Sequence, residues 1–188
     1  LVFFALGFAV WLQRRRATRL RLTQSLIWLA AFAFVEALAV WGYVFIPIQE
    51  GYVRAGPIDL LLVVRALLQT AAFLFLFRFG LHLLVRSRRR LLIWTVASAV
   101  VWLVILIGMA IVAAEQGWGV GQWERSVEAI SRHLILLPAA VLSAVGLARQ
   151  RDELADAGLS GIRPYAAAMA AGLLAYAIFG GVLVDHVF

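Results

Sequence analysis

The side chains best able to do chemistry are the ionisable and polar ones that fall inside long apolar stretches: Glu36, Arg65 with Gln69, Arg78 with His82, and Glu128 with Arg132 and His133. In hydrocarbon each charged group costs several kcal/mol, so it must reach the interface, find a partner or line a cavity. Arg65 and Gln69 are four residues apart, as are Glu128 and Arg132, so each pair shares a face if its segment is helical. Glu36, Arg65, Gln69, Glu128, Arg132 and His133 therefore form the candidate polar or sensing cluster, with Asp185 and His186 near enough in depth to join it. Pairing Arg65 with Glu36 is one way to satisfy the deepest carboxyl. The plainer reading makes Glu128 and Arg132 an interfacial ion pair and lets Arg78 and His82 snorkel toward headgroups.

Histidines in membrane bundles can ligate haem or chlorophyll-type pigments, which makes His133, His186 and His82 the candidate cofactor ligands. His82 and His133 fall near opposite ends of their segments, roughly 20 Å apart in depth at 1.5 Å per residue, so they cannot clamp one iron. His133 and His186 could share a haem only if their helices were strongly offset. No paired metal-ligand spacing exists and cysteine is absent, so no metal site is expected; the spacing calls for no particular cofactor. A Gly-rich phosphate loop, GxSxG and HExxH are all missing, and no enzymatic activity is expected of this chain. Phe73, Phe75, Phe77, Phe79, Trp94 and Trp102 could contact a polyene or ring system, although such aromatics more commonly pack against lipid or one another.

The elements that must position these groups follow from composition. Of 188 residues 64% are hydrophobic, far above the roughly 45–50% of a soluble domain. That excess excludes a soluble globular enzyme and fits an all-α, polytopic bundle of about six transmembrane helices in one domain, each needing about 20 residues. The spacing predicts helices over about 1–13, 23–48, 58–85, 91–114, 126–148 and 165–186. The first would cover only roughly 20 Å, so it is expected to be a truncated span with residues missing upstream. Pro47 and the turn Gln49, Glu50, Gly51 should end the second helix. Pro57 and Asp59 suit the start of the third. Gly117, Trp118, Gly119, Gly121 and Trp123 mark Glu115 to Arg125 as a loop, and Pro138 should kink the fifth helix. The charged sequence from Arg151 to Asp156 is expected to form a short surface helix. No repeat of 20 to 50 residues or inverted pair of broken helices is visible, which disfavours a transporter. Only Glu36, Gln69 and Thr70 lie deep enough to line a central path.

The formal charge of +7 comes from 17 arginines and no lysine. Twelve arginines fall after helices 1, 3 and 5 and only Arg54 and Arg125 in the opposite loops, leaving Arg65, Arg78 and Arg132 within spans. By the positive-inside rule the basic loops are cytoplasmic and both chain ends external. The distribution orients the protein and calls for no nucleic-acid partner.

Several segments carry a likeness: Leu6 to Leu22 (LGFAVWLQRRRATRLRL), Ser25 to Gln49 (SLIWLAAFAFVEALAVWGYVFIPIQ), Phe73 to Leu84 (FLFLFRFGLHLL), His133 to Leu147 (HLILLPAAVLSAVGL) and Tyr176 to Gly181 (YAIFGG). In this order the chain resembles the multi-helix N-terminal membrane region that precedes bacterial sensor histidine kinases, particularly those of Chloroflexi-type bacteria. The resemblance implies a sensor or anchoring bundle that works as a homodimer or larger assembly and passes a signal to cytoplasmic kinase parts absent from these residues. It carries over no ligand-binding residue. The surroundings of Trp41 and Gly42 depart from it, with Val40 and Tyr43 where a polar or acidic pattern is expected. The alternative from another class is an accessory subunit of a respiratory or photosynthetic complex that contacts pigment, haem or lipid.

Overall fold

The structure is a computed structural model that describes residues 1–14, 21–156 and 163–180. Among the described residues every element is helical: α1 (Val2–Arg14), α2 (Arg21–Glu50), α3 (Ala55–Leu84), α4 (Arg88–Gln116), α5 (Val120–Ser131), a π-helical turn (Arg132–Leu136), α6 (Leu137–Asp156) and α7 (Arg163–Ile178). Four stretches are long and apolar enough to cross a membrane: Leu22–Glu50, Ala55–Leu84, Arg88–Gln116 and Val120–Gln150. The last combines α5, the π turn and the membrane part of α6. Val2–Leu12 is a shorter apolar helix, and α7 extends the bundle by 16 residues. An all-α membrane bundle is thus what the composition implied.

Three expected breaks in the chain differ in the structure. Pro47 does not stop α2, which runs through it to Glu50. So close to the helix end, proline deprives only the Tyr43 carbonyl of a helical donor, and the last residues still bond to the turn before. The expected loop from Glu115 to Arg125 contracts to a turn at residues 117–119, because α4 continues to Gln116 and α5 begins at Val120. In that first turn the Gln122 side chain accepts from the Gly119 N–H at 3.4 Å. Beyond it Glu124, Val127 and Ser131 are buried on one face. The charged residues after Arg149 do not start a separate helix, since α6 runs unbroken to Asp156.

At Pro138 the chain widens into the π turn, where the Leu137 N–H reaches back five residues to the Arg132 carbonyl. Proline cannot accept a carbonyl four residues before it without a clash, and the wider turn relieves that conflict.

Turns of a few residues make successive long helices antiparallel. One end of the bundle therefore carries the α3–α4 turn with Arg86 and the start of α4 with Arg88, Arg89 and Arg90, and the other carries the α2–α3 and α4–α5 turns. α3 is the central helix, packed against α2, α4, α5, the π turn and α6, while α1 lies on α2 and α7 on α6. The core is built around Phe32, Phe73, Leu76, Phe79, Leu136 and Leu147, all fully buried. The α3–α6 crossing is close enough that a Cβ on Gly80 would fall 2.7 Å from the Ser143 backbone nitrogen. Ser143 lies in the same crossing and donates its hydroxyl to the Leu76 carbonyl at 3.3 Å. Small residues let helix backbones approach in this way where no hydrophobic force drives them together.

Candidate functional site

The ionisable side chains converge in the half of the bundle away from the arginine-rich turn. Glu124, near the start of α5, is buried and receives two bonds from Arg65 of α3, Nε at 3.0 Å and Nη2 at 2.6 Å. Two bonds from one planar guanidinium fix orientation as well as charge. Arg65 reaches this position because its stem lies across Gly42 of α2, where a Cβ would meet the Arg65 Cδ at 2.8 Å. The guanidinium also stands over the Tyr43 ring, 4.1 Å from its centroid. The Tyr43 hydroxyl donates to Glu128, which pairs with Arg132 one helical turn on. A second Arg132 nitrogen donates to the Gly180 carbonyl past the end of α7. The Arg132 Nη2 that pairs with Glu128 also donates to the Tyr43 hydroxyl at 3.3 Å. One connected network thus ties α2, α3, α5, the π turn and the chain following α7.

Deeper lies Glu36, near the middle of α2 and 1% exposed. Its Oε1 accepts from the Tyr176 hydroxyl of α7 and from the Gln69 amide of α3 at 3.4 Å. Its Oε2 has no partner among the described residues. Three carboxyls and two guanidiniums share this region, and both guanidiniums are engaged by Glu124 and Glu128. Glu36 is therefore held by neutral donors, although Arg132 and Glu128 are near enough to act on it electrostatically. Tyr176 also packs edge to face with Phe3 and Phe32, which meet each other in the same way, with centroids 5.6–6.1 Å apart, joining α1 and α7 to α2.

Of the six expected cluster residues, the structure brings Glu36 and Gln69 together, pairs Glu128 with Arg132, and gives Arg65 a different acid. The Arg65–Glu36 pairing is replaced by Arg65–Glu124 because the extension of α5 carries Glu124 into reach. His133 is exposed, with Nδ1 2.8 Å from the carbonyl of Ala129 in its own helix. His82 lies in the last turn of α3, at the arginine-rich end. His186 and Asp185 lie outside the described residues. Arg78 stacks over Trp28 of α2 at 4.0 Å from the ring centroid, a cation–π contact between helices. Phe73 and Phe79 are core, Phe75 stacks on Trp28, Trp102 is buried, and Trp94 is exposed. No group of three metal-ligating side chains occurs among the described residues.

Sequence reading missed Glu124, Tyr43 and Tyr176. Glu124 was hidden by a supposed loop, although its four-residue spacing to Glu128 was visible. The tyrosines carried a signal too, since a phenol inside an apolar span needs a partner for its hydroxyl.

Comparison with family models, with curated proteins and with solved structures finds no match. The likeness to sensor-kinase membrane regions therefore rests on the sequence segments alone.

Proposed function

We propose that this chain is the membrane-embedded sensing or anchoring bundle of a bacterial signal-transduction protein, passing a signal to cytoplasmic kinase parts outside these 188 residues. The observation that carries this reading is the network from Glu124 to Arg132, which ends on a π turn beside Pro138. Interrupted helices of this kind can repack between discrete arrangements. A stimulus that competes for Arg132 or Glu128 would act on the π turn directly. The rod below it, α6, runs to Asp156, beyond the apolar span that ends at Gln150. Under the positive-inside rule that end is cytoplasmic, where a signal must emerge.

The test is kinase output of the whole gene product in native membranes, for wild type and for Glu128→Gln and Arg132→Gln. Altered output with normal membrane insertion is expected; unchanged output in both variants sinks the reading. The second reading, an accessory subunit of a larger complex, is favoured by α4, whose apolar surface is almost wholly uncovered. Gentle purification discriminates the two. A mass near 20.7 kDa with tightly held subunits or a visible absorption band selects the accessory subunit, and a larger mass without absorption selects the sensor.

A further inference from the structure

At the arginine-rich end a cavity of about 440 Å³ opens between three helices, lined by Gln24 of α2, His82 and Val85 at the end of α3, Arg86 in the turn, and Arg88 and Leu91 of α4. Its position follows from the spans: the apolar part of α2 begins at Leu22, that of α3 ends at Leu84, and α4 begins at Arg88. The cavity therefore lies at the depth where hydrocarbon gives way to headgroups. Arg86 and Arg88 are exposed, and neither forms an ion pair with a described acid. The first turn of α4 contains no acidic residue to offset the positive end of its dipole. Directly beyond Leu91 the outer face of α4 is apolar, with Leu92 and Ile93 exposed.

We infer that this cavity is a binding site for the headgroup of an anionic phospholipid, its phosphate held by Arg86 and Arg88 and its acyl chains laid along Leu92 and Ile93. Two guanidiniums supply forked donors that match phosphate oxygens, and basic pockets between membrane helices are suited to such headgroups. A free phosphate shares the headgroup's charge but gains nothing from the apolar face, which is why the lipid is the occupant. The inference stands whether or not the chain is a sensor.

The experiment uses the whole chain in nanodiscs of phosphatidylcholine doped with phosphatidylglycerol, with native mass spectrometry counting the phosphatidylglycerol retained. Three proteins are compared: wild type, Arg86→Gln/Arg88→Gln, and Arg89→Gln/Arg90→Gln, which removes equal charge from the same end of the bundle but not from the cavity lining. Wild type and the second variant should retain the lipid, while the first should bind it about 30-fold more weakly, the loss of two surface cation–phosphate attractions. Arg88→Gln alone, expected to weaken binding about fivefold, keeps the test readable if the double variant does not insert. Equal losses in both double variants mean diffuse attraction and overturn the site, as does a wild type that retains no phosphatidylglycerol. Displacement of the lipid by excess inorganic phosphate would make free phosphate the occupant and overturn the lipid assignment.

Discussion

α3 and α4 are near twins by length and apolarity, 30 and 29 residues with mean hydropathy of 2.2 and 2.7 in their most apolar stretches, yet they occupy opposite situations. α3 has eleven buried residues and touches most of the bundle; α4, the more apolar, has three, Leu91, Trp102 and Ala113. In water the greasier helix would go inside. In hydrocarbon a lipid tail is as good a neighbour as leucine, so burial is decided by what lipid cannot provide: close approach and polar partners. α3 supplies both, through Gly80 against α6 and through Arg65, Gln69 and Arg78. α4 has no charged residue between Arg90 and Glu115, and a Cβ on its Gly108 would meet nothing within 4 Å.

The largest effect expected from this contrast lies in the ion pairs. Arg132→Met strands the partly buried Glu128 and should destabilise the bundle by about 3–5 kcal/mol, the range for breaking one side of a buried pair. The double variant Arg132→Met/Glu128→Leu, which leaves no orphan charge, should recover most of that loss. Unfolding by detergent titration would show it, and a double variant as unstable as the single one would mean that Arg132 acts through its bond to the Gly180 carbonyl instead. Next comes packing: Gly80→Leu drives a side chain into the Ser143 backbone and should cost about 1–3 kcal/mol. Gly108→Leu, the same change on α4, should stay within about 0.5 kcal/mol. Equal costs would remove the distinction between the two helices. Gln69→Leu removes one bond to Glu36, and its expected cost is about 0.6 kcal/mol, the average for hydrogen bonds between membrane helices.

Hydropathy made the bundle legible because apolar runs of membrane length have few other uses. It could not rank the helices by burial, since α3 and α4 present the same signal. The site was half legible: Glu36, Arg65, Gln69, Glu128 and Arg132 stood out as charges or amides in apolar surroundings. Their pairing did not, because a four-residue spacing reports faces within one helix and says nothing about which helix lies opposite. Reading Gly117, Gly119 and Gly121 together as a loop moved the start of α5 by six residues, and with it went Glu124, the acid that Arg65 chooses.

The smallest effects belong to the outer face of α4, and they carry the most information about assembly. Leu103, Val104 and Ile107 are each more than half exposed, between 54% and 63%. If only lipid covers them, Leu103→Ala, Val104→Ala and Ile107→Ala exchange one apolar contact for another, and each should change stability by no more than about 0.5 kcal/mol. If α4 packs against a second copy or another subunit, truncation there opens a cavity, and a leucine or isoleucine cut to alanine should cost about 2 kcal/mol or more. The two cases also differ in form. A loss confined to contact between chains weakens as protein is diluted in detergent, because association stabilises by mass action. Unfolding each variant at two protein concentrations separates them: small, concentration-independent changes leave α4 a lipid-facing helix, whereas larger changes that grow with concentration make it the face on which this bundle assembles.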